Sequence, residues 1–143
     1  MIRRIISTSA TWIPVPLRLA MGTIFVAHGA QKVLGSFNGP GFAKFTSFPA
    51  PFSFMRPGWL WMSAAAFAEL IGGALLVLGL LTRVGAFLIA CVMLTAVASI
   101  WPTFFVPTGF EYPLAMLAGA LALLISGGGM ASVDRGISGG RRR

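Results

Sequence analysis

The stretch PGWLWMSAAAFAELIGGALLVLGLLT, residues 57–82, decides the fold. It holds a single charge, Glu69, near its middle, and everything else in it is apolar, small or uncharged. A helix crossing the hydrocarbon core of a bilayer needs about 20 predominantly apolar residues. This stretch is long enough. Downstream, residues 84–110 and 112–133 carry no charge at all, and each is also long enough to cross. Upstream, residues 13–34 are apolar but contain Arg18, His28, Gln31 and Lys32. The predicted spans are therefore 13–34, 59–81, 84–105 and 112–130.

Composition agrees with that count. Of 143 residues, 57% are hydrophobic and 10% are charged, against roughly a quarter charged in a soluble domain. Four crossings take about 80 residues and leave about 60 for ends and connections, whereas six would leave almost nothing. The expected fold is all-α: one integral membrane domain over residues 1–143, built as a four-helix bundle.

The connections follow from turn chemistry. Leu81-Thr82-Arg83 predicts a tight link that forces the second and third helices to be antiparallel neighbours. Pro102 and Pro107 mark the end of the third helix, and Gly127-Gly128-Gly129 the end of the fourth. Gly72-Gly73, Gly79, Gly85 and Gly119 supply small surfaces for close helix approach.

The net charge of +8 does not imply nucleic acid, because Arg3, Arg4, Arg135 and Arg141 to Arg143 sit at the two ends, flanking apolar sequence. Anionic lipid headgroups are the expected partners. With four spans the two termini share one side with Arg83, and the inner part of the first span, with Arg18, lies toward it. The opposite side carries only Lys32, Lys44 and Arg56. The positive-inside rule then puts both termini in the cytoplasm, in a multi-pass protein of the bacterial inner membrane. A signal peptide is not expected, since Arg18 interrupts the first apolar run and no small-residue cleavage site follows it.

One long connection, about residues 35–58, holds Phe37, Phe42, Phe45, Phe48, Phe52 and Phe54 with Pro49, Pro51 and Pro57 interleaved. Phe42, Phe45 and Phe48 recur every third residue, which predicts a short helix lying in the outer interface or over the mouth of the bundle.

Ionisable groups at membrane depth are costly and normally turn inward, where they pair or serve function. At a rise of 1.5 Å per residue, His28 lies about 9 Å and Lys32 about 3 Å below the outer boundary, while Glu69 lies about 14 Å below it. His28 and Lys32 share a helix face, and Glu111 begins the fourth span near the level of Lys32. His28, Gln31, Lys32, Glu69 and Glu111 thus form one expected outer cluster. Arg18, roughly 24 Å deep by the same rise, belongs to an inner layer with Arg83 and Asp134, expected to orient the chain and form a structural ion pair.

Two readings of the outer cluster stand side by side. In one, Glu69 and His28 relay protons beside an apolar slot, as quinone reduction requires. In the other, Glu69 pairs with Lys32 or hydrogen-bonds His28 only to make burial tolerable and to fix register. Three acidic residues, one histidine and one cysteine exclude a calcium cage, an internal disulfide, an iron–sulfur cluster and the usual zinc sets. Metal ligands are not expected. Haem is disfavoured by the single histidine, and a channel by the lack of a polar face along a full crossing. Cys91 is expected to be an inert core thiol.

The same residues carry a resemblance. Arg18-Leu19-Ala20-Met21-Gly22 with Phe25, His28-Gly29 and Gln31-Lys32 resembles the first-span signature of the DoxX family of small bacterial membrane proteins. Ala68-Glu69, Gly72-Gly73, Leu78-Gly79-Leu80 and Thr82-Arg83 resemble its second-span pattern. Gly109, Glu111, Gly127-Gly128-Gly129, Ser132 and Asp134 are similar to its closing segment. The resemblance implies a four-helix bundle and an association with membrane redox complexes and oxidative-stress responses. It extends more distantly to the small subunit of archaeal thiosulfate:quinone oxidoreductase. One departure is Ile100-Trp101-Pro102, where many relatives carry a histidine.

The leading expectation is a subunit or accessory of a quinone-linked redox system, with a soluble or membrane redox partner protein and self-association. His28 and Glu69 are its catalytic pair, and Gln31, Lys32 and Glu111 hold or tune the quinone. The alternatives are a noncatalytic scaffold that binds a partner protein or lipid through the aromatic loop, and a small transporter of a hydrophobic solute.

Overall fold

A computed structural model describes residues 6–105 and 109–139. Arg3, Arg4, Pro107 and Arg141 to Arg143, used above for orientation and helix ends, lie outside these residues. Among the described residues there are six helices and no strand: α1 Pro14–Val33, α2 Gly41–Thr46, α3 Gly58–Leu78, α4 Thr82–Ile100, α5 Glu111–Ser126 and α6 Val133–Gly139.

Helix boundaries follow local chemistry. α1 opens with Pro14 at its first turn, where a missing amide costs nothing. α3 ends at Gly79, in the left-handed region at φ +65°, and the Leu80 amide donates back to the Leu75 carbonyl at 3.1 Å, closing the helix in the manner expected of glycine. α4 begins at once with Thr82, so the link between the two is Gly79 to Leu81, earlier than the predicted Leu81-Thr82-Arg83. α4 stops at Ile100, five residues short of the predicted end at 105, because the residue before Pro102 is pushed out of helical geometry. α5 stops at Ser126, before Gly127 at φ +72°, rather than at 130.

α1 and α3 approach at backbone distance. A Cβ on Gly29 would sit 2.5 Å from the Leu70 Cα, and one on Gly73 would sit 2.6 Å from the Val26 nitrogen. α3 and α4 cross near their link, where the Gly72 position faces the Gly85 carbonyl. The four longer helices share one apolar core that includes Met21, Phe25, Leu76, Ile89, Met93 and Leu123.

α3 and α4 are long and apolar enough to cross a membrane. Only 28% of the most apolar window of each is buried, which separates them from the core helices of a soluble protein. Their exposed residues are apolar stripes, Phe67, Ile71 and Leu78 on α3, and Phe87 and Leu94 on α4. Acyl chains rather than water solvate a surface of that kind.

The inner layer is built differently from the expected ion pair. Buried Arg18 donates from Nη1 to the Leu76 and Val77 carbonyls at 2.8 and 2.7 Å, and from Nη2 to the Ala131 carbonyl. Arg83 donates to the Leu124 and Ile125 carbonyls, both at 2.8 Å, and to that of Ser7. Asp134 accepts from the Leu81 and Thr82 amides at 2.7 and 2.9 Å. Each charge therefore serves a helix end, where backbone groups run short of intrahelical partners, and the two arginines also bind the loop carbonyls of Ala131 and Ser7. The cations meet carbonyl ends and the anion meets an amide end, as the helix dipole favours.

Candidate functional site

At the opposite end of the helices the packing opens into a cavity of about 540 Å³, within the range of ligand sites. α1 contributes Phe25, His28 and Lys32, which fall on one face at helical spacing. α3 contributes Trp61, Met62 and Glu69 together with Ala64, Ala65 and Ala68, and α4 contributes Cys91, Met93, Thr95, Ala96 and Ser99. The space exists because those alanines leave it unfilled. α5 adds Tyr112, and the loop adds Phe45, Pro51 and Met55.

Polar groups gather on one part of this apolar wall. The Lys32 ammonium donates to Glu69 Oε2 in an ion pair. The Glu69 side chain is 3% exposed and that of Lys32 is 22% exposed, so the carboxylate is the buried partner and the amine reaches partly into open space. The same amine lies 5.2 Å from the centre of the Phe45 ring, a cation–π contact strengthened by exclusion of water. Phe45 is itself buried and meets Phe48 edge-on at 6.1 Å between ring centres. The short helix α2 thus packs over α1 and α3 and roofs the cavity. His28 is exposed at its wall, and Tyr112 lines the same space from the first turn of α5.

Of the five residues expected to cluster, the structure brings His28, Lys32 and Glu69 to one cavity. Gln31 does not line it; that residue is half-buried beside Gly39, whose missing side chain leaves room for the Gln31 backbone. Glu111 does not line it either, and stands at the first turn of α5 with Tyr112 in the place expected of it. Tyr112 is the chemically competent residue that spacing missed. Adjacent helix positions point about 100° apart, so a residue at the right depth still had an undetermined direction. Cys91 is a correction too: it is exposed and lines the cavity rather than the core. Among the described residues no three of His, Cys, Asp and Glu meet in a way that could hold a metal ion.

The DoxX family profile matches residues 13–102, which covers α1 to α4, and with them every cavity residue except Tyr112. The chain belongs to the DoxX family. Its sequence is also 32% identical over 136 residues to the uncharacterized membrane protein Rv3486 of Mycobacterium tuberculosis, covering 85% of this chain and 79% of that one. No solved structure matches it significantly. This DoxX protein is accordingly a membrane protein associated with the lipid bilayer.

Proposed function

We propose that this DoxX protein is a multi-pass, inner-membrane four-helix bundle with both termini cytoplasmic, acting as a subunit or accessory of a quinone-linked redox system. One observation carries the reading: the Lys32–Glu69 pair, with its carboxylate buried, faces about 540 Å³ of apolar space. A pair serving only to make burial tolerable is best packed on all sides, since empty volume forfeits contacts. Here the empty volume lies against the charged groups. Lys32 retains N–H groups beyond the one given to Glu69, enough to hydrogen-bond a quinone carbonyl. The redox partner supplies electrons, and Glu69, His28 and Tyr112 are the groups at hand to move protons to the carbonyl oxygens.

The test is extraction of the purified protein followed by a search for bound quinone, paired with Glu69→Gln. The amide preserves shape and an acceptor for Lys32 but cannot relay a proton. The expected outcome is bound quinone in the native protein, and a folded variant that has lost redox turnover. A folded variant with every redox phenotype intact overturns the reading.

A second reading, a noncatalytic scaffold, is favoured by Phe37 and Phe54, each 73% exposed on the aromatic loop. Because Phe45 of the same loop roofs the cavity, deletion of the loop tests both readings at once. Phe54→Ser separates them, since it removes a docking ring and leaves the cavity wall in place.

A further inference from the structure

We infer that the cavity is filled from within the bilayer, through a lateral portal between α3 and α4 framed by Ala64 and Cys91, and that its ligand is a lipid-phase molecule with a hydrogen-bonding head and an apolar tail. The inference rests on the cavity being a ligand site, and adds to it the route and the phase from which the ligand comes.

Ala64 and Cys91 each belong to two surfaces. Both line the cavity, and both are exposed along the apolar stripes that face outward, Ala64 in register with Phe67 and Ile71, Cys91 in register with Phe87, Leu94 and Ala98. Residues at spacings of three and four share a helix face, so the cavity wall runs without interruption onto the lipid-facing surface at these two positions. Their depth is that of acyl chains. At a rise of 1.5 Å per residue, Ala64 lies about 9 Å from the outer end of α3 and Cys91 about 14 Å from the outer end of α4.

The other ends of the cleft are obstructed. Toward the inner side, α3 and α4 close on each other at Gly72 and Gly85, where an added Cβ would come within 3.1 Å and 2.9 Å of the facing carbonyls. Toward the outer side stands the roof of Phe45, Pro51 and Met55. Ala64 and Cys91 put small side chains at the gap between α3 and α4. A ligand entering there meets apolar side chains first and the Lys32–Glu69 pair last. This order suits a molecule whose tail stays among acyl chains while its head exchanges hydrogen bonds.

The experiment uses the full-length protein in phosphatidylethanolamine–phosphatidylglycerol vesicles, with decyl-ubiquinone as probe and quenching of tryptophan fluorescence as readout, Trp61 being part of the wall. The double substitution Ala64→Phe and Cys91→Phe places two rings in the gap on a surface that already accommodates Phe67 and Phe87. The expected result is a loading rate lowered by about tenfold with the helical content unchanged. Undiminished loading in that folded variant overturns the portal while the ligand site stands. Absence of quenching in the native protein overturns both. A second measurement needs no substitution: alkylation of native Cys91 by N-ethylmaleimide is expected to slow about tenfold once quinone is bound, because head and tail then occupy the gap. An unchanged alkylation rate, at quinone concentrations that do quench, also overturns the portal.

Discussion

The two ends of the molecule bury charge in opposite ways. At the end that carries the α3–α4 link, expected to be the inner one, Arg18, Arg83 and Asp134 are committed to backbone: between them they serve the carbonyl ends of α3 and α5 and the amide end of α4. At the outer end Lys32 and Glu69 are committed to each other, beside His28, Tyr112 and open volume. Charge spent on helix termini is architecture, because its partners are fixed and have no protonation state to change. Charge left facing a cavity retains the capacity to exchange partners. Substitutions at the inner end should therefore cost stability, and those at the outer end should cost function.

The largest expected effect is at Arg18. Arg18→Met removes three charged hydrogen bonds from a buried side chain and leaves the Val77 and Ala131 carbonyls without that donor, which predicts destabilisation by about 3 kcal/mol, read as a shift in denaturant unfolding in detergent micelles. Asp134→Ala comes next: with two amides uncapped at the start of α4, a loss of about 2 kcal/mol is expected in the same assay. Gly29→Ala forces a methyl into the Leu70 backbone and should cost about 1–3 kcal/mol by overpacking; a neutral result would mean that α1 and α3 separate more easily than their contact implies. Glu69→Gln should lower stability by only about 1–2 kcal/mol, through a weakened hydrogen bond to Lys32, while abolishing turnover. The smallest stability change belongs to His28→Ala. This exposed side chain should contribute within about 0.5 kcal/mol, so a marked loss of redox activity there, with the unfolding curve unmoved, would sharpen the contrast most. If instead the outer variants unfold and Arg18→Met remains folded, the contrast breaks.

Much of the fold was legible because lipid imposes a length rule on uninterrupted apolar sequence. Glu69 alone in residues 57–82, and the charge-free runs around Cys91 and Ala120, each coincide with one long helix. Depth arithmetic put Glu69 within side-chain reach of the His28 level and well below Lys32, whereas Lys32 is the residue whose long side chain reaches it. What spacing did not contain was rotation about each helix axis, and for that reason Gln31 and Glu111 were grouped with the cluster while Tyr112 and Cys91 were not. The ion pair expected in the inner layer gives way to backbone partners for a related reason. Asp134 and the two arginines carry opposite charge, yet each binds backbone groups that only the tertiary arrangement brings near. Their occupation ties Arg18 and Arg83 to fixed carbonyl partners.

The grip of residues 131–134 on Arg18 and on the α3–α4 link bears on biogenesis. The Ala131 carbonyl and the Asp134 carboxylate follow α1 to α5 in the chain, so those helices are synthesised before the groups that fasten Arg18 and the α3–α4 link exist to be used. Residues 131–134 are the clasp, and a nascent chain arrested before them would present quality-control proteases with loose ends that the fastened fold hides.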